Sequence, residues 1–255
     1  MSSLDQSPDV FGAFDIAAYP ELWDDFVQII LDVTLEVYHM LKQEREAGFH
    51  WQEDTFTINV RRCMKKIIPL RGLPFEAETK QHIFTDEMMS GDEATNKAVE
   101  LDIKMWHQQA DDDIYFAWEC KLIVDKARED KHKRLAEEYI TKGIIRFLNG
   151  HWKYAESVQD AGMLGYVLYG EIDKIVAAIN REMLAISQRP ASHTNDVRVQ
   201  QALASARNLS SSDMLALNQS SFINNHLVYE SCHHRPFCNR NIHLDHLFLT
   251  FDFAA

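Results

Sequence analysis

The chain has 255 residues, 46% of them hydrophobic and 25% charged, with a formal net charge of −13. That length accommodates one large domain or two small ones, and the apolar runs, such as Phe26 to Leu35 interrupted by Gln28, Asp32 and Thr34, fall short of the roughly 20 residues of a membrane span. The acidity excludes broad, unspecific coating of nucleic acid, which rests on Lys and Arg, while leaving room for a local basic site.

Residues 1–18 read as a flexible arm; the opening MSSLDQSPD has neither the basic nor the apolar region of a signal peptide, so the cytoplasm is the default compartment. From Glu21, Leu22, Phe26, Ile29, Ile30, Val33, Val37 and Leu41 recur at helical steps, and Gly48 is placed to cap that helix. A second helix is predicted from Asp54 or Thr55, either a fit N-cap, to about Ile68, before Pro69. Residues 69–95 carry two turns, Arg71 to Pro74 and Ser90 to Asp92, with Phe75 to Met89 open between a short helix and a partial strand.

Two strands follow. Ala98 to Trp106 alternates apolar with charged residues, and the aromatic-rich stretch 114–124 is the second strand of a hairpin closed by a polar turn. A helix is predicted over 134–147 on the period of Leu135, Tyr139, Ile140, Gly143, Ile144 and Phe147, stopped by Asn149-Gly150. Ala161 to Leu168 reads as a strand, and Gly170 opens a helix with Ile172, Ile175, Val176, Ile179 and Met183 on one face. Residues 188–220 suit a loop or insertion, and Phe222 to Glu230 and Ile242 to Phe253 read as strands completing the domain that begins at residue 19.

The chemistry concentrates in the second hairpin strand. Glu119 and Lys121 stand at i and i+2, hence on one face of a strand. Buried charge needs a partner, so the pair calls for a cation, a mutual ion pair or a polar cleft. A symmetric hairpin around the turn 108–113 puts Asp102 opposite Glu119, where two carboxylates repel unless a cation lies between them. Asp113 stays in reserve as the partner acid.

The hairpin, the Glu119-Cys120-Lys121 triplet and the helix and strand that follow resemble the core of the PD-(D/E)XK, or restriction-endonuclease-like, nuclease superfamily over residues 50–185. The resemblance implies an α/β fold with an αβββαβ core, a mixed sheet flanked by helices, extended here by N-terminal helices and C-terminal strands. It implies Mg²⁺ or Mn²⁺ held by Asp102, Glu119 and the Cys120 carbonyl, with Lys121 beside the metal orienting the attacking water or stabilising the pentavalent state and Glu53 as the helix glutamate of the site. It further implies hydrolysis of phosphodiester bonds in DNA, by endonuclease more than exonuclease action, in a prokaryotic anti-phage setting, by a homo-oligomer or with a recruiting partner protein and without a membrane. Leu101 stands where the family often has proline.

Alternatives stay open around this reading. Glu53 is also an ordinary first-turn acid favoured by the helix dipole. Lys142 and Arg146, at i and i+4, are placed to touch a phosphate backbone or simply to face water. Cys232, Cys238, His243 and His246 are zinc-type ligands at irregular spacing, equally compatible with a hairpin turn; Ser231, His233 and Arg235 would share one strand face and line a cleft. The rival function is a non-catalytic scaffold subunit of a larger nucleic-acid-processing or defence complex, and RNA is the other substrate.

Overall fold

The computed structural model describes residues 20–44, 51–83, 86–90, 98–109, 114–124, 135–148, 159–188, 216–221, 223, 225–235 and 237–251. The arm 1–18, Gly48, Asp113, Asn149-Gly150 and most of the expected insertion lie outside them.

Helices α1 (Pro20–Glu44) and α2 (Glu53–Leu70) precede strand β1 (Phe75–Ile83), a short helix α3 (Asp86–Ser90), and the hairpin strands β2 (Val99–His107) and β3 (Phe116–Ile123). A helical run at 135–148 follows, π-helical over Ile140–Ile144 and α-helical again in α4 (Ile145–Leu148). Then come β4 (Asp160–Val167), α5 (Ile172–Ser187), β5 (Asn218–Gln219), β6 (Val228–Arg235) and β7 (Arg240–Thr250). The fold is α/β: one seven-stranded mixed sheet in the order β1-β2-β3-β4-β7-β6-β5, antiparallel except for the β3–β4 and β4–β7 pairs. No described helix is long and apolar enough to cross a membrane.

Alternation along β4 assigns the helices to the two faces. Tyr166 meets α2, stacking on Phe56 with centroids 5.0 Å apart and sharing a hydrogen bond with Thr57. Met163, of opposite parity, meets Gly143 of the helical run, where an added Cβ would come within 2.4 Å of the Met163 methyl. The central strands β3 and β4 are therefore covered on both faces, and this explains their largely hydrophobic sequence, broken in β3 by Glu119 and Lys121.

The hairpin pairs as the symmetric turn requires: Ile103 with Trp118, Lys104 with Ala117 and Met105 with Phe116. Other elements differ from expectation. The stretch Phe75 to Met89, left open between helix and strand, holds both: nine-residue β1, with Phe75 and Ala77 buried either side of Glu76, and then α3. Helix α2 begins one residue before Asp54 and continues past Pro69 to Leu70. Strand β6 runs Val228–Arg235 rather than Phe222 to Glu230; past Glu230 its inward positions Ser231, His233 and Arg235 are polar yet buried, so hydrophobicity did not mark the extension. β5 lies within the stretch read as a loop.

Candidate active site

Among the described residues, strands β2 and β3 share three ladder pairs, ending at Ile103 and Trp118. Just beyond, the Asp102 carboxylate takes over: its Oδ2 accepts the Cys120 N–H at 2.8 Å. A side chain has replaced a main-chain acceptor, so the buried N–H stays satisfied while the strands part. Asp102 Oδ2 also lies 3.9 Å from Lys121 Nζ.

Lys121 Nζ is the centre of the site. It donates to Glu119 Oε1 at 2.6 Å, to the Cys120 carbonyl at 2.6 Å and to Glu53 Oε1 at 3.2 Å. Glu53, the first residue of α2, reaches further with its other oxygen, which accepts the Leu122 N–H at 3.3 Å. Arg146 Nη1 contacts both oxygens of Glu119 at 2.9 Å. Its helix is placed for this by Gly143, whose lack of a side chain lets the run settle on Met163 beside the Lys121 stem.

Burial strongly shapes the charges. Glu119 is fully buried. Desolvation pushes its carboxyl up, and the Asp102 charge adds to that, against the opposing pull of Lys121 and Arg146. Desolvation alone would lower Lys121, but Glu119, Glu53 and Asp102 outweigh it and hold the amine above the ordinary lysine range, so it stays an ammonium.

A cavity of about 310 Å³ opens on these groups, lined by Glu53, Lys80, Ala98, Glu100, Asp102, Lys121 and Arg146. Lys80 and Glu100 escaped the sequence reading. Lys80 Nζ sits 3.0 Å from Asp54, 2.9 Å from Glu100 and 3.7 Å from Asp102 Oδ1. The period-two pattern of Phe75, Ala77 and Thr79 between charged residues was the signal that would have placed Lys80 on a strand beside Asp102.

The carboxylates of Glu53, Asp54, Glu100, Asp102 and Glu119 close on Lys80, Lys121 and Arg146. Among the described residues no three His, Cys, Asp or Glu side chains are drawn together as a metal cage; the carboxylates close on ammonium and guanidinium groups instead. Oxygens of Glu53, Glu119, Cys120 and, at longer range, Asp102 converge on the Lys121 ammonium. Such an all-oxygen donor set suits a hard divalent cation.

Lys142 does not join the site; it is exposed and pairs with Glu138 at 3.1 Å. The zinc-type residues are not brought together either. Cys232 pairs across the ladder with His243, whereas His246 is buried in a separate chain. There Tyr139 Oη meets His246 Nδ1 at 2.9 Å, and Ser231 Oγ lies 2.8 Å from His246 Nε2 and 2.7 Å from His233 Nε2. Ser231, His233 and Arg235 thus face one way but are buried, and none lines the cavity described above.

No protein-family model, curated protein or solved structure matches the chain.

Proposed function

We propose that this protein is a metal-dependent nuclease with a restriction-endonuclease-like core, hydrolysing phosphodiester bonds in DNA. The observation that carries the reading is the convergence of Glu119, the Cys120 carbonyl, Glu53 and Asp102 on one cationic point between two parting strands. The element order α2-β1-β2-β3-helix-β4 supports it.

Asp102, Glu119 and the Cys120 carbonyl would hold Mg²⁺ or Mn²⁺. When bound, the ion would make a hydroxide-like nucleophile available near neutral pH and offset charge on the phosphate. The chain's own groups do the rest. Lys121, kept as an ammonium by its acidic neighbours, acts as a hydrogen-bond donor to the attacking water or to the charge that builds on the phosphate, and does not act as a proton acceptor. Glu53 steadies Lys121 from α2, and Arg146 fixes the orientation of Glu119 from the helical run. With a net charge of −13, productive contact with DNA is expected to need a partner protein that supplies basic surface.

The scaffold reading draws on a different observation: both oxygens of Glu119 are already met by Arg146, and Lys121 adds a third contact, so the cluster is satisfied as a set of ion pairs. Supercoiled plasmid separates the two. The nuclease reading requires nicking by the wild type with Mn²⁺, abolished by EDTA and by Lys121→Ala. Nicking that survives in Lys121→Ala, or none in either protein, favours the scaffold. A labelled transcript run in parallel decides between DNA and RNA.

A further inference from the structure

Lys80 carries a backbone conformation that its position in the fold does not call for. It lies inside β1, and its neighbours pair normally with β2, Thr79 with Ile103 and Gln81 with Leu101. Lys80 itself, level with Asp102, drops out of the ladder at φ 58. A lysine in the left-handed region is strained, and such strain within a regular strand marks a site where placing the side chain matters. The twist puts the ammonium in the cavity, against Asp54, Glu100 and Asp102.

The two oxygens of Asp102 have different neighbours. Oδ2 is engaged by the Cys120 N–H, and Oδ1 is the oxygen that Lys80 approaches, at 3.7 Å. An ion held by Asp102 through Oδ1 would therefore arrive beside Lys80, and two cations sharing one oxygen repel. We propose that Lys80 is a phosphate contact linked to the metal: without an ion its ammonium rests in the cavity on Asp54, Glu100 and Asp102, and when Asp102 takes its ion the ammonium leaves Asp102 and binds the nucleic-acid backbone. This rests on the nuclease reading and adds to it a residue that trades affinity for the ion against affinity for the substrate.

The test uses Lys80→Gly, which tolerates φ 58 without strain, Lys80→Arg, which keeps the charge, and exposed Lys174→Ala as a control. Mn²⁺ affinity is measured by calorimetry without DNA, and cleavage kinetics are measured on a duplex. Lys80→Gly is expected to bind Mn²⁺ about tenfold more tightly and to show a KM for DNA raised about tenfold, the effect of losing one charge-assisted contact. Lys80→Arg should stay near wild type in both, and Lys174→Ala should match it. If the wild type binds Mn²⁺ and cuts while Lys80→Gly changes neither quantity, the inference falls and the nuclease reading stands. If Lys80→Gly weakens Mn²⁺ binding and turnover together, Lys80 is a structural support and the inference again falls. If the wild type neither binds Mn²⁺ nor cuts, both fall.

Discussion

Asp102 and Cys120 are joined across the β2–β3 gap by a side-chain-to-backbone hydrogen bond of 2.8 Å, at the place where the ladder between the strands ends. One carboxylate therefore serves both the sheet and the site, and the two roles separate by substitution. Asp102→Asn keeps an oxygen acceptor for the buried N–H and loses the charge. It is expected to melt close to wild type while plasmid nicking falls by at least about 100-fold. Asp102→Ala leaves the Cys120 N–H unsatisfied and should cost about 1–3 kcal/mol as well, read by urea denaturation.

Lys121 and Glu119 form a buried pair, with side chains 10% and 0% exposed. Removing Lys121 leaves the buried Glu119 with Arg146 as its remaining cation among the contacts above, so Lys121→Met is expected to lose about 3 kcal/mol of stability. Adding Glu119→Gln should return much of that loss while leaving the protein inactive. A double-mutant cycle in urea checks the coupling; additive effects would show that the pair carries no stability of its own.

Gly162 lies under the Trp118 ring, where an added Cβ would stand 2.1 Å from a ring carbon. The indole is fully buried and cannot swing away. Gly162→Ala should therefore destabilise by about 3 kcal/mol through overpacking, seen as a lower urea midpoint with an unchanged slope.

Acid should act on the buried histidine chain. Desolvation, helped by the nearby His243 charge, brings His233 down from 6.5 to about 4. The unfolded chain thus binds a proton there before the folded one does, and the sign follows: the stability is present above pH 6.5 and lost as pH falls through about 4. The shift is worth about 3 kcal/mol. Asp245, raised from 3.8 to about 7 by burial, acts in the opposite direction across that whole window, so the measurement is a difference. Between pH 7 and 4, the stability of His233→Gln is expected to fall less than that of the wild type; parallel curves would refute the assignment.

The hairpin register was legible because a short symmetric turn leaves strand pairing little freedom, and the three observed pairs keep the register that sets Asp102 level with Glu119. Glu53 was legible as a helix-start acid but its target was not, since reaching Lys121 depends on how α2 lies against β3. The period-two pattern of Phe75, Ala77 and Thr79 marks the strand that carries Lys80, but not the left-handed backbone that aims its ammonium, which no local pattern predicts. Arg146 was found on the correct helix with a different partner: the sequence gives its spacing from Lys142, whereas its direction depends on the π-helical turn between them and on the buried charge of Glu119. The histidine chain went unread because buried polar residues on β6 carry no hydrophobic period.

The five π-helical residues Ile140–Ile144 lie between Tyr139, anchored on His246, and Arg146, anchored on Glu119. A π turn carries one residue more than an α turn, and each residue rotates an α-helix by about 100°. The segment therefore works as a phase-setter: dropping a single residue from it would keep the helix and the hydrophobic seam up to Tyr139, yet swing the guanidinium out of reach of Glu119. The length of this stretch, as much as the identity of its side chains, is what the site depends on.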